Sequence, residues 1–137
     1  MIAIGLWPSD SSLPTLGLPG TSAGFGYYSE HGHKLSSRYP TNEDSTAPSG
    51  EHYGASYGAG DIVGCGWVKN TNTIFFTKNG AFQGIAFKNV YGSYYPAVGL
   101  SAQGASIAVN FGQMPFRYDL TPVIKKVKKR MKQEDIE

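Results

Sequence analysis

Gly54-Ala55-Ser56-Tyr57-Gly58 has the G-x-S-x-G spacing of a nucleophile elbow. In that device a strained strand-to-helix turn lifts a serine hydroxyl toward an acid and a histidine from later in the chain. Here a strand pattern follows, and His31, His33 and His52 all precede Ser56. A hydrolase is not expected. His31 and His33 flank Gly32, an i, i+2 spacing that can chelate a metal, but no acidic or thiol cluster completes the shell. The histidines read as turn polarity, and neither a metal nor another cofactor is expected. Cys65 alternates with Val63 and Trp67 and reads as a buried, inert thiol. Asp61, at a strand entry, reads as a carboxylate bonded to nearby backbone. An isolated carboxylate is not acid–base machinery. With no convergent acid, base or nucleophile, the chain is expected to bind rather than catalyse.

The residues around these groups form strands. From Gly60 to Phe87 the sequence reads as a meander of three strands and two turns. Val63, Cys65 and Trp67 alternate with Ile62, Gly64 and Gly66, the period-2 pattern of a sheet. Ile74-Phe75-Phe76 is β-branched and aromatic. Asn79-Gly80 predicts a type I′ hairpin turn, which needs φ > 0 at both central residues. Further strands are expected at Ile2–Leu6, Ala23–Tyr28, His33–Leu35, Tyr95–Leu100 and Ser106–Phe111. In the last of these Ile107, Val109 and Phe111 share a face. No segment before residue 121 has a sustained helical period. Short strands at this spacing predict a β-sandwich.

A length of 137 residues suits one domain, and the 18 Gly, nine Tyr, seven Phe and eight Pro suit short strands with many turns. No run of apolar residues is long enough to span a membrane, and no signal peptide is visible. One cysteine fits a reducing compartment. A cytoplasmic location is therefore expected, or the cytosolic face of endomembranes if the chain is part of a longer adaptor. The net charge of +2 is unevenly spread. Residues 1–120 carry six Lys/Arg and seven Asp/Glu, a net of −1, and residues 121–137 carry six and three, a net of +3. A nucleic-acid binder would carry its basic surface on the domain itself, so no nucleic-acid partner is expected.

Two segments stand apart. Arg38 to Gly58 is a long polar loop, and loops longer than about 12–15 residues in a compact domain are usually functional or disordered. Thr121-Pro122 can open a helix, with Val123, Val127 and Met131 recurring every four residues beside Ile124. This basic amphipathic tail, 121–137, reads as a solvated terminal helix. Its functional reading is contact with an acidic partner or anionic lipid, and three acids at its end count against lipid.

Taken in order, several pieces resemble a SPRY domain. They are Leu18-Pro19-Gly20, Gly26-Tyr27, Gly32-His33, Tyr53-Gly54, Gly60-Asp61-Ile62-Val63-Gly64-Cys65, Phe76-Thr77-Lys78-Asn79-Gly80, Gly84-Ile85-Ala86-Phe87, Tyr95-Pro96-Ala97-Val98-Gly99-Leu100 and Asn110-Phe111-Gly112-Gln113. The resemblance covers roughly residues 2–120 and is closest to the RanBPM-type branch and to fungal SPRY adaptors of a ubiquitin ligase. It implies an all-β fold, a bent antiparallel, concanavalin-like sandwich, with residues 1–120 as a domain that lacks the family's N-terminal strands. It also implies a protein-interaction module, an adaptor or scaffold whose loops at one end of the sandwich hold a short peptide or a partner surface.

In related domains the loop after the strand matching Tyr95–Leu100 contributes to that surface. Here it contains Ser101, Gln103 and Gly104. Trp7, Tyr39 and Tyr57 are expected to add outer contacts, since they stand in or beside loops and aromatic side chains suit recognition. The competing reading is a lectin-like carbohydrate-binding module, which exposed aromatics favour. The lack of a secretion signal and of a clustered Asp/Asn metal site counts against it.

Overall fold

The computed structural model describes residues 1–10, 19, 23–36, 50–101 and 103–122. Within them the chain forms eight strands. They are β1 (Ile2–Pro8), β2 (Phe25–Tyr28), β3 (His33–Ser36), β4 (Glu51–His52), β5 (Val63–Val68), β6 (Thr73–Lys78), β7 (Ala81–Phe87) and β8 (Tyr94–Leu100). They build two antiparallel sheets, ordered β4-β3-β2-β1-β8 and β5-β6-β7. The expected all-β sandwich is therefore the fold. Thr121 and Pro122 open a helical turn, and the rest of the expected tail helix lies outside the described residues, as do Tyr39 and most of the long polar loop.

Alternation decides which side chains enter the core. On β2, Phe25 and Tyr27 point between the sheets, where they join Leu6, Ile74, Phe76, Phe87 and Val90. Gly26 and Tyr28 take the opposite face, as period 2 requires. Tyr28 packs there with Ala3 and Leu35 in a second cluster. Its hydroxyl donates to the Pro19 carbonyl at 2.7 Å. Strand β2 is buried on both faces, so Tyr27 and Tyr28 stand side by side rather than in an apolar–polar alternation.

From the other sheet Val63, Cys65 and Trp67 pack against the core from one face of β5. The phenyl ring of Phe25 meets those of Phe87 and Tyr94 at 4.9 and 5.5 Å, and Tyr27 meets Phe76 at 5.1 Å. Gly5 marks the tightest backbone approach on β1: a Cβ there would lie 1.8 Å from the Phe25 carbonyl oxygen. The Asn79-Gly80 turn forms as expected, with φ of 51° and 83°.

The expected strand at Ser106–Phe111 does not form. Ile107, Val109 and Phe111 are exposed instead. A strand needs a neighbour for its N–H and C=O groups. The alternation is present here, but the described residues hold no neighbouring strand for it. Among the described residues β8 and β5 each end a sheet, as β4 and β7 do. Val98 and Leu100, opposite Ile4 and Ile2 in the ladder, are about two-fifths exposed, at 40% and 41%.

Candidate interaction surface

The loop after β8 is fixed at one end and open at the other. Ser101 donates to the Met1 carbonyl twice, from its backbone nitrogen at 3.0 Å and its hydroxyl at 3.1 Å. Gln103 and Gly104 follow in an exposed turn. Gly104 has φ of 81°, and among the described residues no atom beyond its chain neighbours lies within 4 Å of where a Cβ would be. The turn thus uses the left-handed backbone that glycine tolerates, with free space beside it.

The β2–β3 turn borders the same end of the sheet. The Ile2 nitrogen donates to Ser29 Oγ at 2.8 Å, and the Ser29 nitrogen returns a bond to the Ile2 carbonyl at 2.8 Å. Tyr57 joins this edge through its nitrogen, which donates to the Ser29 carbonyl at 3.1 Å. The phenol of Tyr57 turns inward. It lies 2.6 Å from the Tyr27 carbonyl and 3.2 Å from that of Ile2, and its ring packs on Tyr27. Burial drives its pKa far above the ordinary tyrosine value. Tyr57 is therefore a clamp between the 50–58 segment and the sheet, with its polar tip already occupied.

Trp7 does not fit the role of an outer contact. It is 5% exposed, pairs across the ladder with Tyr95, and lies at the opposite end of β1 from Ser101. The reason is alternation again. Leu6 faces the intersheet core, so Trp7 faces the other side, and it is buried there. Its indole Nε1 is buried without a hydrogen-bond partner among the described residues, as is that of Trp67. The structure thus brings Ser101, Gln103, Gly104 and the backbone of Tyr57 to one end, and separates Trp7 from them.

Next to this end, the 50–58 segment is bolted to both sheets. The Tyr53 and Gly54 nitrogens donate to the Gly32 carbonyl at 3.0 and 2.9 Å. The Tyr53 hydroxyl donates to the Gly84 carbonyl, and the Tyr27 hydroxyl donates to that of Ala55. Gln83 Oε1 accepts from the Ala55 nitrogen at 3.0 Å. Burial pushes the pKa of Tyr53 up to about 12 and raises that of Tyr27, where the Asp61 charge adds to the effect.

Lys34 makes a further cross-sheet tie that the sequence did not signal. Its ammonium donates to the Ala86 carbonyl at 2.8 Å, lies 5.6 Å from the Phe87 ring centre, and stands 3.9 Å from Glu51. A lysine at the start of a short polar-looking strand gives no cue that its head reaches another sheet. Only the β2–β3 register places it there.

The groups that suggested chemistry are arranged otherwise. Residues 54–58 lead into β5, a strand, so no strand–turn–helix elbow surrounds Ser56. His31, His33 and His52 form a row with ring centres 5.8 and 6.2 Å apart, and His52 Nδ1 lies 3.2 Å from the His31 carbonyl. Among the described residues no group of three His, Cys, Asp or Glu is placed to hold a metal ion. Burial pushes the Cys65 thiol up to about 12. Asp61 accepts from the Gly58 nitrogen at 2.8 Å, the local backbone bond its position implied. What the surface offers is shape, main-chain groups and the Gln103 amide, which suits recognition.

A two-sheet antiparallel sandwich of this topology defines a class of β-sandwich domains. Residues 2–114 match the SPRY-domain family, and the chain belongs to it. It is 43% identical over 104 residues to the dual specificity protein kinase splA of Dictyostelium discoideum, covering 75% of this chain and 4% of the kinase. It is 38% identical over 103 residues to the Ran-binding proteins 9/10 homolog of Drosophila melanogaster, covering 74% of this chain and 10% of that protein. It is 38% identical over 96 residues to Ran-binding protein 9 of Homo sapiens, covering 70% of this chain and 12% of that protein. The chain therefore spans a small part of each of these relatives. SPRY domains are protein-interaction modules. Among the described residues, no helix is long and apolar enough to cross a membrane.

Proposed function

We propose that residues 1–120 act as a protein-binding module that holds a short extended peptide, or an exposed loop of a partner, at the Ser101–Gly104 end of the sandwich. The observation that carries this reading is the anchored but open turn. Ser101 is tied to Met1, while Gln103 and Gly104 are exposed. A preformed turn loses little conformational freedom on binding. The Gln103 carboxamide can donate and accept at once, which matches a peptide main chain. Ser101 positions the turn, and Tyr57 supports its neighbour. Tyr39 is kept as an outer contact on the strength of its place in the long loop. Trp7, buried, takes no part in this surface.

In this reading the module works as a substrate adaptor or scaffold, with a ubiquitin ligase as the machinery it serves. Support comes from the family likeness to RanBPM-type domains. The basic tail at 121–137 is an appendage that the sandwich does not need. Since relatives carry Ran binding in their names, purified Ran is one partner to assay.

The test is a peptide-display selection on immobilised chain, with a glycan array alongside. The selected peptide should bind Gln103→Ala about 5- to 30-fold more weakly, the equivalent of about 1–2 kcal/mol. Equal binding by Gln103→Ala and by Gly104→Val, with loss from changes elsewhere on the surface, would show that the site lies elsewhere. Glycan capture without peptide capture would favour the carbohydrate reading.

A further inference from the structure

The hairpin turn between β6 and β7 carries chemistry that the binding role does not use. Asn79-Gly80 is the dipeptide in which a carboxamide is most easily lost. Gly80 has no side chain to hinder its own backbone nitrogen from attacking the Asn79 side chain. In that reaction the Gly80 nitrogen loses its proton to solvent base and bonds to Asn79 Cγ. The bond from Cγ to Nδ2 breaks and ammonia leaves. Water then opens the cyclic imide, giving aspartate or isoaspartate. Nothing is oxidised or reduced, and no enzyme is required.

The structure holds both ends of that carboxamide away from the reaction. Asn79 Nδ2 donates to Asp61 Oδ1 at 2.9 Å, and Asn79 Oδ1 accepts from the Ile62 nitrogen at 2.8 Å. The Asn79 nitrogen donates to the Ile62 carbonyl at 2.7 Å. Asp61 is itself fixed, since its other oxygen accepts from the Gly58 nitrogen at 2.8 Å. Cγ cannot turn toward Gly80 without breaking two side-chain hydrogen bonds, one of them to a carboxylate. Such charge-assisted bonds are about twice as strong as neutral ones. Asn79 is nevertheless exposed, so solvent base and water have access.

We propose that Asn79 is a latent site of spontaneous deamidation, held dormant by its clamp to Asp61 and released when that clamp opens. The product cannot restore the clamp. Aspartate at 79 would set a second carboxylate against Asp61, where like charges repel, and it would have no N–H to offer. Isoaspartate adds a backbone atom to this two-residue turn, in which both φ angles are positive, 51° and 83°. The entry to β5 would lose the side-chain tie from Asp61 to the β6–β7 turn. Opening of the clamp would thus be recorded as a one-way covalent change.

The purified chain, its Asp61→Ala variant, and the parent chain in denaturant are incubated at mildly alkaline pH. Deamidation is followed as a one-dalton gain on the peptide that contains Asn79. Asn72, which precedes Thr73, is the internal control. The folded parent should react far more slowly than the denatured chain. Folded Asp61→Ala should react about tenfold faster than the parent, the factor expected for loss of one charge-assisted hydrogen bond. If Asp61→Ala fails to fold, judged by its thermal melt, Asp61→Asn is read in its place, and it too should exceed the parent rate. Reaction at the parent rate in the folded variant overturns the proposal. So does a folded parent that reacts as fast as the denatured chain.

Discussion

A tryptophan beside a loop can serve either the surface or the interior, and Trp7 serves the interior. Trp7→Ala should therefore lower stability by about 3–5 kcal/mol, as large aromatic deletions do. Gln103→Ala should leave the melting temperature unchanged and weaken peptide capture. Chemical denaturation of both variants, beside a binding assay, separates the two roles. The phenols supply a pH test. Tyr53 and Tyr28 have folded pKa values near 12 against an ordinary 10.0, both through burial. Their neutral forms are favoured in the folded state. The stability this represents is fully present below pH 10 and is lost as pH rises through about 12. Melting temperature should fall over that window, in step with the tyrosinate absorbance. A phenol titration complete near pH 10 would show that the tyrosines are not enclosed. Cys65 should likewise resist thiol reagents at neutral pH until the chain unfolds, because only the thiolate reacts and burial suppresses it.

Among the elements, the β5–β6–β7 meander is the most local, and Phe76, fully buried, stands at its centre. Phe76→Ala should cost about 3–5 kcal/mol in a denaturant melt. Phe111→Ser, in the segment where no strand forms, should change stability by under about 0.5 kcal/mol, as exposed substitutions do. A large loss from Phe111→Ser would show that this segment packs in solution. This contrast marks what the sequence could tell. The meander was legible because its strands, its Asn79-Gly80 turn and its partners are neighbours in the chain. The segment at 106–111 alternates just as clearly, but pairing depends on a distant neighbour, and alternation says nothing about that. The candidate site was legible in part. Ser101, Gln103 and Gly104 follow a strand that period 2 reveals. The burial of Trp7 and the cross-sheet reach of Lys34 depend on ladder register, which local composition does not carry.

At the scale of the whole molecule, the two sheets share a well-packed middle and an open margin. Val98, Leu100, Ile107, Val109 and Phe111 are all exposed, and β8 and β5 end their sheets without a neighbouring strand among the described residues. Free edges beside apolar faces invite association. Residues 1–137 alone should self-associate as concentration rises, which light scattering would detect. A monomeric chain with one sharp, cooperative thermal transition would contradict this. The strand pairings also set an order in time. The meander joins Val63 to Lys78 and Ile74 to Phe87, so its loops are short to close. Strands β1 and β8 join Ile2 to Leu100, nearly the span of the domain. Closing a long loop costs more entropy before any contact repays it, and such pairings slow folding. The three-stranded sheet is therefore the natural nucleus, and the β1–β8 ladder closes last. The proposed recognition turn hangs from that last ladder through Ser101. During synthesis, then, the chain could not present a finished binding surface until residues past 100 had emerged and found β1, made well before them.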